Sequence, residues 1–222
     1  MKKISVIILV ILICVFSFSS CDKDVDLTVY VSQVRQNIYI GESDDYKIVV
    51  YEEKKENPFV ADAFIGSIEN FVIIKIESKT ESVDGVSASF IIDEKEYKGD
   101  FVFNPISNKF TLEVVVDKFN EQNELEVKLY KGTEYQTISA KSMLFEGTKD
   151  YQEVLKSVSR YDKNIINKLF KGDKVIAEIH IRLLYDNDKN YYYVGFVESN
   201  KKTTCFLVDG QTLKVLATKN VE

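Results

Sequence analysis

The chain has 222 residues, 45% apolar, 29% charged and 12% aromatic, with a formal net charge of −6. That balance excludes a disordered polymer, and two prolines exclude a proline-rich linker. A single histidine, no tryptophan and an acidic surplus narrow the catalytic options and argue against nucleic acid as a partner. At the start, Lys2 and Lys3 precede an apolar run from Ile4 to Phe18, followed by Ser19, Ser20 and Cys21. A basic head, a fifteen-residue apolar stretch and small residues read as an export signal over 1–20. The run is shorter than the roughly 18–20 residues a spanning helix needs.

Phe18-Ser19-Ser20-Cys21 resembles the lipobox of bacterial lipoproteins, with phenylalanine where leucine is usual. The resemblance implies lipidation of Cys21, which becomes the acylated first residue of a protein held on the outer side of a cell membrane. The alternative is an ordinary cleaved signal with an incidental cysteine. Two or more acyl chains would make a durable anchor. Cys14 then leaves with the signal and Cys205 stands alone, so no intrachain disulfide is expected. Residues 21–26 read as an acidic tether.

Beyond the signal the charge is unevenly placed. Residues 21–147 carry 14 Lys+Arg against 25 Asp+Glu, and residues 148–222 carry 13 against 10. The sign change points to two units, 27–146 and 147–222. The first opens with period-two alternation, with Leu27, Val29 and Val31 on one face. β-Rich runs follow at Asn37–Ile40, Tyr46–Tyr51, Phe71–Glu77, Val86–Asp93, Gly99–Phe103, Lys109–Val116, Leu125–Tyr130 and Tyr135–Ala140. Hairpins are expected between Phe103 and Phe110 and between Tyr130 and Tyr135. Strands at this spacing without intervening helices predict an antiparallel sandwich. The pattern resembles immunoglobulin-like modules of the bacterial surface in architecture, without their buried tryptophan or paired cysteines.

The second unit begins after Gly147. Asp150 and Glu153 have capping-box spacing. Tyr151, Val154, Leu155, Val158, Tyr161, Ile165 and Leu169 recur on one helical face, and Gly172 reads as its C-terminal stop. Asp162 alternatively caps a second helix. Three β-runs then follow, Val175–Tyr185, Tyr191–Glu198 and Thr203–Val208, with Leu213–Ala217 as a continuation. Tyr193–Val197 and Cys205–Leu216 make this helix and meander resemble the PepSY domain, although Gly210-Gln211-Thr212 departs from that family's order. The resemblance implies a small α+β fold and a role in binding or regulating peptidases.

Candidate chemistry is sparse. His180 alternates with Ile179 and Ile181, which predicts an exposed strand residue beside Glu178 and Arg182. Cys205 lies within a β-run, which predicts a buried structural thiol. Asp186, Asp188 and Asn190 begin like a calcium loop, but Tyr191 replaces its glycine and Val197 its final glutamate, so a hairpin turn is expected. Glu52 and Glu53 are neighbours on one strand and should face opposite ways. Lys149, Lys156, Arg160 and Lys163 form a basic stripe that could meet anionic lipid, an acidic wall polymer or the acidic first unit, or simply face solvent. Phe59, in an apolar loop, is either a contact residue or a plug at the end of the sandwich. Arg35 should pair with Glu42, Glu56 or Asp62.

Together these features point to a mainly β, lipid-anchored binding or interaction protein, without catalytic residues, metal ligands or a cofactor. A strand edge, with Tyr191 to Tyr193 as aromatic contact area, would dock a peptide or peptidase. The competing classes are an envelope enzyme using carboxylates and a structural spacer.

Overall fold

A computed structural model describes residues 25–79, 83–105, 108–119, 122–200 and 202–221. The expected signal, Cys21 and the first residues of the tether lie outside them. The protein is mainly β, with 60% strand and 11% helix. Among the described residues no helix is long and apolar enough to cross a membrane.

The chain does not start as a strand. Leu27–Tyr30 form a 3₁₀ turn, because Asp26 caps it by accepting from the Thr28 N–H at 3.0 Å and the Thr28 hydroxyl at 2.6 Å. A capped turn satisfies donors that an isolated strand start would leave open. Strand β1 then runs from Val31 to Glu42, and β2 (Tyr46–Glu56) and β3 (Ile68–Ser78) pair antiparallel beside it. Next come β4 (Val86–Ile92), β5 (Lys95–Asp100), β6 (Val102–Asn104), β7 (Lys109–Val116), β8 (Glu124–Lys131) and β9 (Glu134–Ser142). Both expected hairpins form, with Phe103 opposite Phe110 and Tyr130 opposite Tyr135.

Helices α1 (Tyr151–Tyr161) and α2 (Ile165–Leu169) are separate, broken at Asp162, whose carboxylate accepts the Asn164 N–H at 2.9 Å. Asp150 caps α1 through the N–H groups of Gln152 and Glu153, both at 2.8 Å. Val154, Leu155, Val158, Ile165 and Leu169 are buried as their spacing predicts, while Tyr161 is exposed. Gly172 does not end a helix. It sits at φ 63° in the tight turn between β10 (Phe170–Lys171) and β11 (Lys174–Val175). The antiparallel meander β12 (Ala177–Asp186), β13 (Lys189–Glu198), β14 (Thr203–Asp209) and β15 (Val215–Val221) completes the chain.

One hydrogen-bonded sheet contains nearly all of these strands, in the order β15-β14-β13-β12-β1-β2-β3-β7-β6. The expected boundary at 146/147 falls between β9 and α1, yet β1 and β12 pair across it in parallel, with Val34 opposite Ile181 and Arg35 opposite Arg182. Beyond Arg35 the meander gives way to β9, which pairs with β1 at Tyr39 and Ile40. Gly41 makes that exchange possible, because a Cβ there would lie 2.7 Å from the Ile138 side chain and 2.8 Å from the Ser139 carbonyl. From β9 the sheet continues through β8, β4 and β5 and curls back over β1, β2 and β3. Tyr39, Val50 and Ile74 meet Phe90, Val127 and Ile138 in the first core. The helices pack Val154, Leu155 and Val158 onto Ile179, Ile181, Val194 and Phe206 in the second. Each such side chain, fully buried, contributes about 1.5–3 kcal/mol.

Candidate functional site

Strand pairing sorts the side chains of the long sheet onto two faces. Val34, Asn37, Tyr39, Glu52 and Lys54 share the inner face with Ile181 and Val194. The curled strand layer covers one end of that face and the helices cover the other. Between them lies an open groove of about 970 Å³, with Gln36, Asn37, Lys54 and Tyr192 in its floor. That volume is at the upper end for small-ligand sites.

A bulge creates the floor. The β1–β2 register slips between Arg35 and Asn37, so Gln36 has no opposite residue on β2. On its other side β1 leaves β12 at Arg35 and meets β9 only at Tyr39. The ladder is therefore interrupted at Gln36 and Asn37, beneath the groove. Under Asn37 the Glu52 carboxylate is wholly buried, accepting the Asn37 amide at 2.5 Å and the Tyr39 hydroxyl at 3.1 Å. Burial holds the Glu52 carboxyl above the usual carboxylate range, against the pull of those two donors. Burial, reinforced by Glu52, likewise pushes the Tyr39 hydroxyl up. Beside them the Gln122 amide nitrogen is buried against the Tyr39 hydroxyl.

The wall on the helix side is the linker from Met143 to Asp150, and Asn190 clamps it. Asn190 donates to the Met143 carbonyl at 2.9 Å and accepts from the Phe145 N–H at 2.9 Å and the Thr148 hydroxyl at 2.8 Å. Tyr192 adds a hydrogen bond to the Lys149 carbonyl at 2.8 Å. The sequence places Asn190 in a turn, and Asn187 and Asp188 do form that turn with positive φ. Asn190 itself is the first buried residue of the next strand's inner face. Its alternation with Tyr192 was the available signal. Sequence reasoning also missed Gln36, Asn37 and Gln122, because a bulge leaves no periodic mark.

The expected basic stripe divides. Lys149 lines the groove, Lys156 and Arg160 lie exposed on α1, and Lys163 sits in the turn between the helices. Phe59 lies elsewhere, in the 57–67 loop, and its half-exposed ring packs edge-on against His180 at 5.2 Å. The loop is pinned by two carboxylates, as Glu178 accepts the Ala63 N–H at 3.2 Å and Glu56 the Gly66 N–H at 2.6 Å. His180 is therefore half-buried, not exposed, and burial followed by the Arg182 charge lowers its pKa to about 4. Cys205 is half-buried as well, its sulfur 3.2 Å from the Tyr193 hydroxyl. Burial, with Cys205 second, pushes that hydroxyl up to about 12. Gly195 provides the room, since a Cβ there would lie 2.6 Å from the hydroxyl oxygen of Tyr193.

Two further expectations are corrected. Arg35 pairs with Glu53 at 3.1 Å rather than with Glu42, Glu56 or Asp62. Tyr191 to Tyr193 are not at an edge, because β13 is hydrogen-bonded on both sides and Tyr192 is buried. Glu52 and Glu53 do face opposite ways. No group of three or more His, Cys, Asp or Glu side chains among the described residues could hold a metal ion.

Comparison with family models, with curated proteins and with solved structures finds no match to this chain.

Proposed function

We propose that this is a lipid-anchored extracytoplasmic binding protein that holds an extended, polar, peptide-like segment in the inner-face groove. The observation that carries the reading is the interrupted ladder at Gln36 and Asn37, lying open beneath a groove rimmed with side-chain amides. Amide side chains offer a donor and an acceptor together, which suits the repeating N–H and C=O groups of a peptide backbone. Lys54 and Lys149 bias the groove toward acidic or C-terminal segments, while Lys118 is paired with Asp93 at 2.7 Å. The acid on the wall, Asp150, is engaged in capping α1, and Glu52 lies sealed under Asn37, which favours binding over carboxylate catalysis.

In this reading Cys21 carries the lipid and residues 147–222 are a PepSY-like unit, whose family role in peptidase regulation agrees with a peptide ligand. The strands of 27–146, curled into two layers around one core, are read as an immunoglobulin-like module. The test is a peptide array probed with full chain purified in detergent, alongside a Lys54→Glu/Asn123→Ala variant. Saturable capture of extended peptides that the variant loses supports the reading. Identical capture by both proteins would sink it. Fatty-acid labelling that persists after Cys21→Ser would separately remove the anchor.

A further inference from the structure

The outer face of the same sheet carries a cluster of charged and amide side chains. Glu53, Gln33, Arg35 and Arg182 form a relay across β2, β1 and β12. Gln33 donates its amide to Glu53 and accepts Arg182 through Nε at 3.0 Å and Nη2 at 2.7 Å. Arg35 donates to Glu53 only through Nε, at 3.1 Å. The relay uses the inner edges of both guanidinium groups. Both terminal nitrogens of Arg35 and the second terminal nitrogen of Arg182 have no hydrogen-bond partner among the described residues.

These groups are held in place and poorly neutralised. Arg35 lies over the Tyr51 ring at 4.0 Å, and Arg182 lies over Tyr193 at 5.7 Å. Lys75 approaches Tyr51 from β3, at 5.2 Å. The Arg35 side chain is only 15% exposed, and the Glu53 side chain 2%. Among the described residues only Arg35 of these three cations is ion-paired with a carboxylate, and Arg35 and Arg182 lie side by side on parallel strands. Burial, and then the charges of Arg35, Lys109 and Arg182, depress the Lys75 ammonium below its usual range. Placing like charges together away from water costs free energy unless a counter-charge joins them.

We infer that the outer face binds a compact oxyanion, the carboxylate or phosphate group of a ligand, between the free edges of Arg35 and Arg182 and the Lys75 ammonium. An unused guanidinium edge matches two oxygens of either group, and the rings beneath fix its orientation before binding. His180, neutral at physiological pH, flanks the site without adding charge.

The chain has only three arginines, Arg35, Arg160 and Arg182, so its arginine Nε–H spectrum supplies its own control. Full chain in detergent micelles is titrated at constant ionic strength with inorganic phosphate, acetate or chloride. The expected result is a saturable shift of the Arg35 and Arg182 signals while Arg160, exposed on α1, stays still. Lys75→Gln should weaken the midpoint about tenfold, as for one charge-assisted hydrogen bond, and keep both signals in place without anion. A response to phosphate alone assigns a phosphate ligand, to acetate alone a carboxylate, and to both a general oxyanion site. Three signals that drift together, no response, or a midpoint unchanged in Lys75→Gln overturns the inference.

Discussion

The two faces of the long sheet solve the same problem in opposite ways. On the inner face the buried carboxylate of Glu52 meets two neutral donors, Asn37 and Tyr39, and burial drives it toward its protonated form. On the outer face its neighbour Glu53 faces an arginine, and two further cations nearby have no ion-paired carboxylate among the described residues. One residue of sequence separates a neutral polar floor from an under-neutralised cationic ladder. Alternation along β2 thus gives one sheet two recognition chemistries, and the bulge at Gln36 opens the neutral side.

The sharpest way to break this comparison is to remove each carboxylate in turn. Glu53→Ala leaves Arg35 nearly buried without the carboxylate it pairs with, and should cost about 3 kcal/mol or more in urea unfolding. Glu52→Gln keeps the volume and a polar partner for Asn37 and Tyr39, and should cost about 1 kcal/mol. Equal costs would erase the distinction between the faces.

The imidazole at the edge of the cationic ladder gives the next largest effect. His180 has a folded pKa of about 4 against an ordinary value of 6.5, so the fold favours its neutral form. The stability this contributes is complete above pH 6.5 and is lost as pH falls from 6.5 toward 4, by up to about 3 kcal/mol. Subtracting the pH–stability curve of His180→Gln isolates this contribution from that of the buried carboxylates. As the only histidine, it can also be titrated directly by NMR. A midpoint near 6.5 would mean that the Phe59 loop does not cover it.

The smallest effect belongs to the groove wall. Asp150→Ala removes the cap of α1 and should lower stability by about 1 kcal/mol. It should also weaken peptide capture more than Asp62→Ala does, a change on the distant 57–67 loop. Equal capture by the two variants would detach the wall from binding.

Much of the secondary structure was legible because burial follows simple periods. The spacing of Val154, Leu155, Val158, Ile165 and Leu169 marks the helical core face, and Asp150 marks its start. Leu27, Val29 and Val31 alternate equally well, but the local pull of Asp26 on Thr28 overrides the pattern. His180 alternates as a surface residue would, and no pattern on its own strand shows that a loop 120 positions earlier packs over it. The groove and the ladder were hidden for the same reason. Both depend on β1 meeting β12, a parallel pairing between strands at opposite ends of the chain that periodicity does not encode.

That pairing is the claim on which both sites rest, since it places Arg35 beside Arg182 and sets the groove between the strand layer and the helices. Native-state hydrogen exchange tests it most directly, using amides of β1, β12 and β4 as reporters. A shared opening free energy for Val34, Ile181 and Phe90, lowered together by Val34→Ala, is the expected result. If residues 177–221 instead open on their own while β1 keeps full protection, the sheet is not continuous and both sites lose their foundation.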